Sequence, residues 1–263
     1  MDKEKLKRSG QLLAPSIFTI GNMACGFYVL LAAHMGDFTA AGVCILAGII
    51  FDMLDGRVAR MVRGESPFGI ELDSLADFLT FCVAPAYMMY ALFLKDYGVG
   101  GFLIVFLFAL CGGLRLARFN VVAHAGTGSK AAFQGLPTPA AAGLLASYTL
   151  LYDIMERDAP AHTLAFLMRP IPMAAGFVPF IMLLLSFLMV SNVPYAAFKQ
   201  KDATSPRNVK LLVALTAFLA LLYFYPQNAL FLLFLFYVLS GFTRLFGRRE
   251  KAPKPEEPPI TPA

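Results

Sequence analysis

The chain has 263 residues, of which 58% are hydrophobic and only 15% charged. A soluble domain carries about 25% charged residues, so a water-exposed globule is excluded as the main body. The net charge of +5 is dispersed along the loops and not collected on one face, which excludes a nucleic-acid-binding surface.

Hydropathy predicts an all-α, multi-pass transmembrane bundle of about eight spans, over residues 12–34, 38–60, 70–94, 98–120, 136–152, 170–192, 209–225 and 227–244. The first follows a basic N-terminus, 1–11, with Lys3, Lys5, Lys7 and Arg8, which looks superficially like a secretory signal. Its apolar run is too long and no clear small-residue cleavage site follows, so it is read as a retained span. The fifth span is short. Every Lys and Arg except Lys95, Arg157 and Arg169 falls on one side of this bundle. The positive-inside rule then places both termini in the cytoplasm. From Lys251 onward there are five prolines in thirteen residues and no apolar periodicity, so 247–263 is expected to be a disordered cytoplasmic tail. Cys25, Cys44, Cys82 and Cys111 lie singly in apolar stretches and read as packing residues. His34, His124 and His162 are scattered and carry no assigned chemistry.

The second and third spans hold the informative residues. Asp52 and Asp55 are three apart near the cytoplasmic end of one, and Asp73 and Asp77 four apart at the start of the other, so each pair shares a helix face. Gly64, Pro67 and Gly69 lie between them and turn the chain, which lets four carboxylates converge at one membrane depth. An Asp at a helix centre costs about 2.5–3.5 kcal/mol even by the lower insertion scales, so the cluster demands positive charge. All-oxygen ligation suits Mg²⁺ or Mn²⁺, and two such ions would brace a phosphoryl group on both the attacking and the leaving side. Gly56 and Ala59 leave a bare helix surface, either for a bulky phosphorylated ligand or for helix packing. Two other readings of the acids stay open: salt bridges with Arg57, Arg60 and Arg63, and an acid-lined, cation-coupled transporter. The acids lie within about two helical turns of the cytoplasmic loop, where a cytosolic nucleotide reaches them, whereas transport favours the midplane.

The run Asp52-x₂-Asp55-Gly56-x₂-Ala59-Arg60-x₈-Gly69-x₃-Asp73-x₃-Asp77 resembles the complete signature of the CDP-alcohol phosphatidyltransferase family. That resemblance implies a dimeric helical membrane domain, here 12–200, with a polar cavity open to the cytoplasm. Residues 201–246 then form two additional C-terminal spans outside the shared core. It further implies that Asp52, Asp55 and Asp73 hold the metals, and that Asp77 contacts one metal and takes the proton of an acceptor hydroxyl. Gly56, Ala59, Arg60 and Gly69 would lie against the CDP-lipid, with Arg60 near the departing CMP.

In the first span, Pro15-Ser16-x₂-Thr19-x₂-Asn22 is similar to a family opening in which Asn follows the Pro, a pattern from which Ser16 departs. Thr19 and Asn22 are candidates to line the CDP-lipid site, or to satisfy neighbouring helices. Arg115-Leu-Ala-Arg118-Phe119-Asn120 and Phe133-Gln134-Gly135-Leu136-Pro137-Thr138-Pro139 resemble the phosphatidylserine synthase branch. That branch implies transfer from CDP-diacylglycerol to L-serine, giving phosphatidylserine and CMP, at the cytoplasmic face of a bacterial inner membrane. Arg115, Arg118 and Asn120 are the acceptor-binding candidates, because guanidinium matches a carboxylate bidentately; lipid phosphate and interfacial anchoring are the other roles for the arginines. Siblings that use glycerol 3-phosphate, inositol phosphate or choline, and a catalytically silent membrane scaffold, are the remaining alternatives.

Overall fold

The computed structural model describes residues 3–62, 67–124, 135–156, 173–193, 195 and 221–247. Most of the span expected at 209–225, and the tail from Arg248 onward, lie outside these described residues. Among them only helical elements occur.

Helix α1, Lys3–His34, begins well before the expected first span, so the basic N-terminal stretch continues it as helix. Gly36 ends it with φ +79°, and the Asp37 N–H reaches back to the Ala32 carbonyl at 2.9 Å, the backbone bond of a Schellman stop. The Asp37 carboxylate then accepts the Ala40 N–H at 3.0 Å and so caps α2, Phe38–Val62. Two adjacent residues thus stop one helix and start the next. The result is an antiparallel α1–α2 pair.

From Pro67 to Tyr97 the helical path is continuous but irregular. It comprises α3 (Pro67–Phe78), a π-helical turn (Leu79–Val83), α4 (Ala84–Met89), a second π turn (Tyr90–Leu94) and a 3₁₀ turn (Lys95–Tyr97). Pro85 accounts for the first irregularity, since it lacks an N–H and its ring clashes with the carbonyl four residues back. The wider turn, in which the Ala84 N–H bonds the Leu79 carbonyl, makes that room. Thr80, Phe81 and Cys82 of this turn are buried in the interior. Gly98, at φ +55°, reverses the chain into α5, Gly98–His124. The 55-residue apolar stretch Phe68–Val122 is therefore two antiparallel helices, in register where Gly112 faces Cys82 and Asn120 faces Ser74.

Helix α6, Thr138–Glu156, is buried on nearly all sides from Thr138 to Leu151. It is rich in alanine and is not among the three stretches apolar and long enough to cross a bilayer, Ile17–His34, Phe38–Val58 and Phe68–Val122. The reason is position: α6 meets other helices where the rest meet lipid, and helix contacts in a membrane select small residues. Gly42 of α2 lies against the Ala146 carbonyl, and the Thr39 hydroxyl donates to Asp153, tying α2 to α6. After a 3₁₀ turn at Ala174–Phe177, α7 (Val178–Val190) packs on α5. Helix α8, Pro226–Gly247, packs on α6, with Phe231 beside Tyr148 and Phe234 over Gly143. Exposed Ile17, Phe27, Phe102, Phe106, Phe180 and Phe236 form an outer surface suited to acyl chains, as expected of a membrane protein.

The seam between α1, α2 and the first π turn is closely packed. A Cβ on Gly48 would sit 2.6 Å from Thr80 Cγ2 and 3.1 Å from Asn22 Oδ1, so a neighbour would have to shift. Gly48→Ala is expected to cost about 1–3 kcal/mol, the usual range for overpacking. A lowered Tm of the detergent-solubilised protein is the expected readout, and an unchanged Tm would contradict the seam.

Candidate metal centre

The last turns of α2 carry Asp52 and Asp55, and α3 carries Asp73 and Asp77. One carboxylate oxygen each from Asp52, Asp73 and Asp77 lies within 4.8 Å of the others. Asp55 is 5% exposed and stands outside this triplet, although its charge acts on all three. Its carboxylate instead accepts the Thr19 hydroxyl.

Three carboxylates gathered in an apolar bundle repel one another unless a cation neutralises them. Oδ1 of Asp73 is buried with no hydrogen-bond partner, so at least one oxygen is left for a ligand the protein does not supply. The donors are all hard oxygens. Oxygens bound to Mg²⁺ at about 2.0–2.1 Å stand roughly 3–4 Å apart, which the triplet's spacing accommodates. The residues fit a Mg²⁺- or Mn²⁺-type ion.

Helix α1 braces the acids. Thr19 and Asn22, three residues apart on one face, reach Asp55 and Asp77 respectively, and the Asn22 Nδ2–H donates to Asp77 Oδ1 at 3.0 Å. The Thr80 hydroxyl in turn donates to the Asn22 carbonyl at 2.8 Å. Such close approach requires Gly26, where a Cβ would meet Thr80 Cα at 2.8 Å. Thr19 and Asn22 are thus engaged with carboxylates, while Asn22 Oδ1 is buried and unpartnered. Of the other donor-side candidates, Gly56 and Gly69 are half-buried, and the side chains of Ala59 and Arg60 lie outside the described residues, as do residues 63–66 of the turn.

The acceptor candidates separate on α5. Arg115 is half-buried, its charge reaches Asp77, and its Nε is buried without a partner. Arg118 is exposed and donates to Asn192 Oδ1 at 2.9 Å. Asn120 donates to the Ser74 hydroxyl at 2.8 Å, beside Asp73. Past α5, Gly135 adopts φ +85°, its N–H bonding the Val193 carbonyl while that of Leu136 bonds the Leu188 carbonyl, which fixes the entry to α6. Tyr237 of α8 lies within electrostatic reach of Arg115 and stacks on Tyr195 at 5.6 Å between ring centroids. The last helix, to which the sequence assigns no role, thus comes within electrostatic reach of an acceptor candidate. Ser74, Thr80, Asn192 and Tyr237 also escape a reading of the sequence. Ser74 is merely a neighbour of Asp73, Thr80 shares the inward face of Asp77 but finds its partner on another helix, and Asn192 and Tyr237 arrive from distant segments.

Residues 12–243 match the family model described as CDP-alcohol phosphatidyltransferase. The chain is 34% identical over 235 residues to a CDP-diacylglycerol–serine O-phosphatidyltransferase of Helicobacter pylori, covering 88% of this chain and 90% of that protein. It is 32% identical over 189 residues to the Bacillus subtilis protein of the same name, covering 72% of this chain and 93% of that one. An archaetidylserine synthase of Methanothermobacter thermautotrophicus is 34% identical over 186 residues, covering 69% of this chain and 68% of its own length.

Asn22 offers a test of the brace that needs no assumption about reaction. Outer-shell partners of metal ligands typically govern affinity by about 10–100-fold. Asn22→Leu is expected to weaken Mn²⁺ binding by that order in an electron paramagnetic resonance titration, and wild-type affinity in the variant would remove Asn22 from the site.

Proposed function

Because the chain belongs to the CDP-alcohol phosphatidyltransferase family, we propose that it transfers the phosphatidyl group of CDP-diacylglycerol to the hydroxyl of L-serine, giving phosphatidylserine and CMP. The observation that carries this reading is the triplet Asp52, Asp73 and Asp77, with Arg115, whose Nε has no partner, within electrostatic reach of Asp77. Relatives named for serine transfer along most of their length support the choice of acceptor.

The family is in general dependent on divalent metal. Asp52, Asp73 and Asp77, with Asp55 adjoining, would hold Mg²⁺ or Mn²⁺, two ions in this reading, and the metal would supply Lewis-acid stabilisation of charge on the phosphoryl oxygens. Asp77 takes the proton of the serine hydroxyl, which is too weak a nucleophile at neutral pH without a base in hydrogen-bond reach. The serine oxygen forms its bond to the phosphatidyl phosphorus as that phosphorus loses its bond to the CMP oxygen, and CMP departs with the electron pair. Asn22 holds the Asp77 carboxylate in one orientation through its 3.0 Å hydrogen bond.

Gly56, Ala59, Arg60 and Gly69 border the donor in this reading, Arg60 nearest the departing phosphate. Arg115 receives the serine carboxylate as an ion pair. Arg118 stands at the exposed rim, where incoming anions meet it, and Asn120 completes the acceptor side through Ser74. A multi-pass topology with both termini and the site on the cytoplasmic face belongs to the proposal. So do the division into a 12–200 core with two added spans, and the homodimer that the resemblance implies.

The test is CMP release by the purified protein with CDP-diacylglycerol and Mg²⁺ or Mn²⁺. Serine-dependent release is expected, and Asp77→Asn should lower it by about 10²–10⁴-fold, the usual worth of a positioned base. Release with glycerol 3-phosphate, inositol phosphate or choline in place of serine would overturn the acceptor. No metal-dependent release from folded protein would return the transporter reading.

A further inference from the structure

Thr138 is the first residue of α6 and is fully buried, yet its Oγ1 has no hydrogen-bond partner. The usual task of a Thr at a helix start is to cap the free N–H groups of the first turn. Thr138 stands one position past the cap: Pro137 precedes the helix, and its carbonyl makes the ordinary first helical bonds, accepting the N–H groups of Ala140 and Ala141 at 3.0 and 3.1 Å, so the Thr138 hydroxyl has no capping role. A buried hydroxyl without a partner is costly and uncommon, so this one calls for a ligand.

Its surroundings say which. Thr138 Cγ2 lies 3.6 Å from the point a Cβ on Gly112 would occupy, which seats the side chain against α5. Arg115 follows Gly112 by three residues on the same face, and its Nε is the other buried, unpartnered donor on that side. Cys82 fills the contact with Gly112 and lies within electrostatic reach of both Arg115 and Asp77. A hydroxyl and a guanidinium nitrogen on adjacent helices are therefore both buried without a partner, the guanidinium within electrostatic reach of the carboxylate assigned as base. Both donate, and Arg115 brings positive charge. A matching ligand is a small carboxylate with two acceptor oxygens.

We infer that the Thr138 hydroxyl binds the acceptor's carboxylate jointly with Arg115, and so sets the preference for an amino-acid acceptor; this rests on the reading of the site given above. The backbone bonds of Gly135 and Leu136 to the Val193 and Leu188 carbonyls hold Thr138 at that point.

The experiment is steady-state kinetics on the full-length protein, using L-serine and L-serinamide, which lacks the carboxylate. Thr138→Val keeps the shape and deletes the hydroxyl. It is expected to raise KM for L-serine about tenfold, the worth of a hydrogen bond to a charged group, with kcat and the KM for CDP-diacylglycerol little changed. Its preference for L-serine over L-serinamide should narrow, and Thr138→Ser should retain wild-type values. Should Val disturb packing, Thr138→Ala is expected to give the same pattern. An unchanged KM for serine, an equal rise for CDP-diacylglycerol, or a Ser variant as impaired as the Val variant would overturn the inference. Wild-type release in the same assay separates these outcomes from failure of the underlying reading: without serine-dependent release, it is the serine reading that falls.

Discussion

Acidic side chains inside an apolar bundle must be compensated, and the geometry around Asp52, Asp73 and Asp77 follows from that constraint. Hydration is largely withdrawn, so three carboxylates this close persist only with a cation among them or with protons on them. Protein donors satisfy some of the oxygens: Thr19 serves Asp55 and Asn22 serves Asp77. Asp73 Oδ1 is left bare. The arrangement is thus half-satisfied by the protein, which is how a ligand site differs from a structural polar network.

Holding polar groups of α1 against acids on α2 and α3 requires the helices to come closer than ordinary side chains allow. Gly26 and Gly48 provide that approach, and Thr80, three residues beyond Asp77 on the same face, enters the same seam, where it secures the Asn22 backbone. The neutral Thr80 bond contributes about 0.5–1.5 kcal/mol and each bond to a charged carboxylate about 1.5–3 kcal/mol, and all of them fix orientation as well. The central, alanine-rich α6 extends the logic: small residues let α2 and α8 close around it, and its first residue, Thr138, then faces α5. A loop anchored at Val193 and Leu188 sets where that helix begins.

The sequence makes the acids legible because their spacing is local. At 3.6 residues per turn, four residues return nearly to the same direction, and Asp73 and Asp77 share the centre; three residues fall about 60° short, and Asp55 diverges from Asp52 toward Thr19. Gly36-Asp37 likewise spells a helix stop and start in two residues. The fifth span reads weakly from hydropathy because α6 faces protein on nearly every side, where alanine serves better than leucine. Nothing local announces that Thr80 meets the Asn22 carbonyl, nor that Asn192 bonds Arg118 and Tyr237 comes within electrostatic reach of Arg115, since those depend on tertiary packing. The split between Arg115 and Arg118 is of the same kind: two arginines one turn apart end up in different environments because only one of them is covered by neighbouring helices.

The centre itself is tested most directly by anomalous X-ray diffraction at the manganese edge from crystals grown with Mn²⁺. A peak within ligand distance of Asp52, Asp73 and Asp77 is expected. No peak at the triplet at saturating Mn²⁺, or a peak only elsewhere in the bundle, would contradict a metal centre built from these carboxylates.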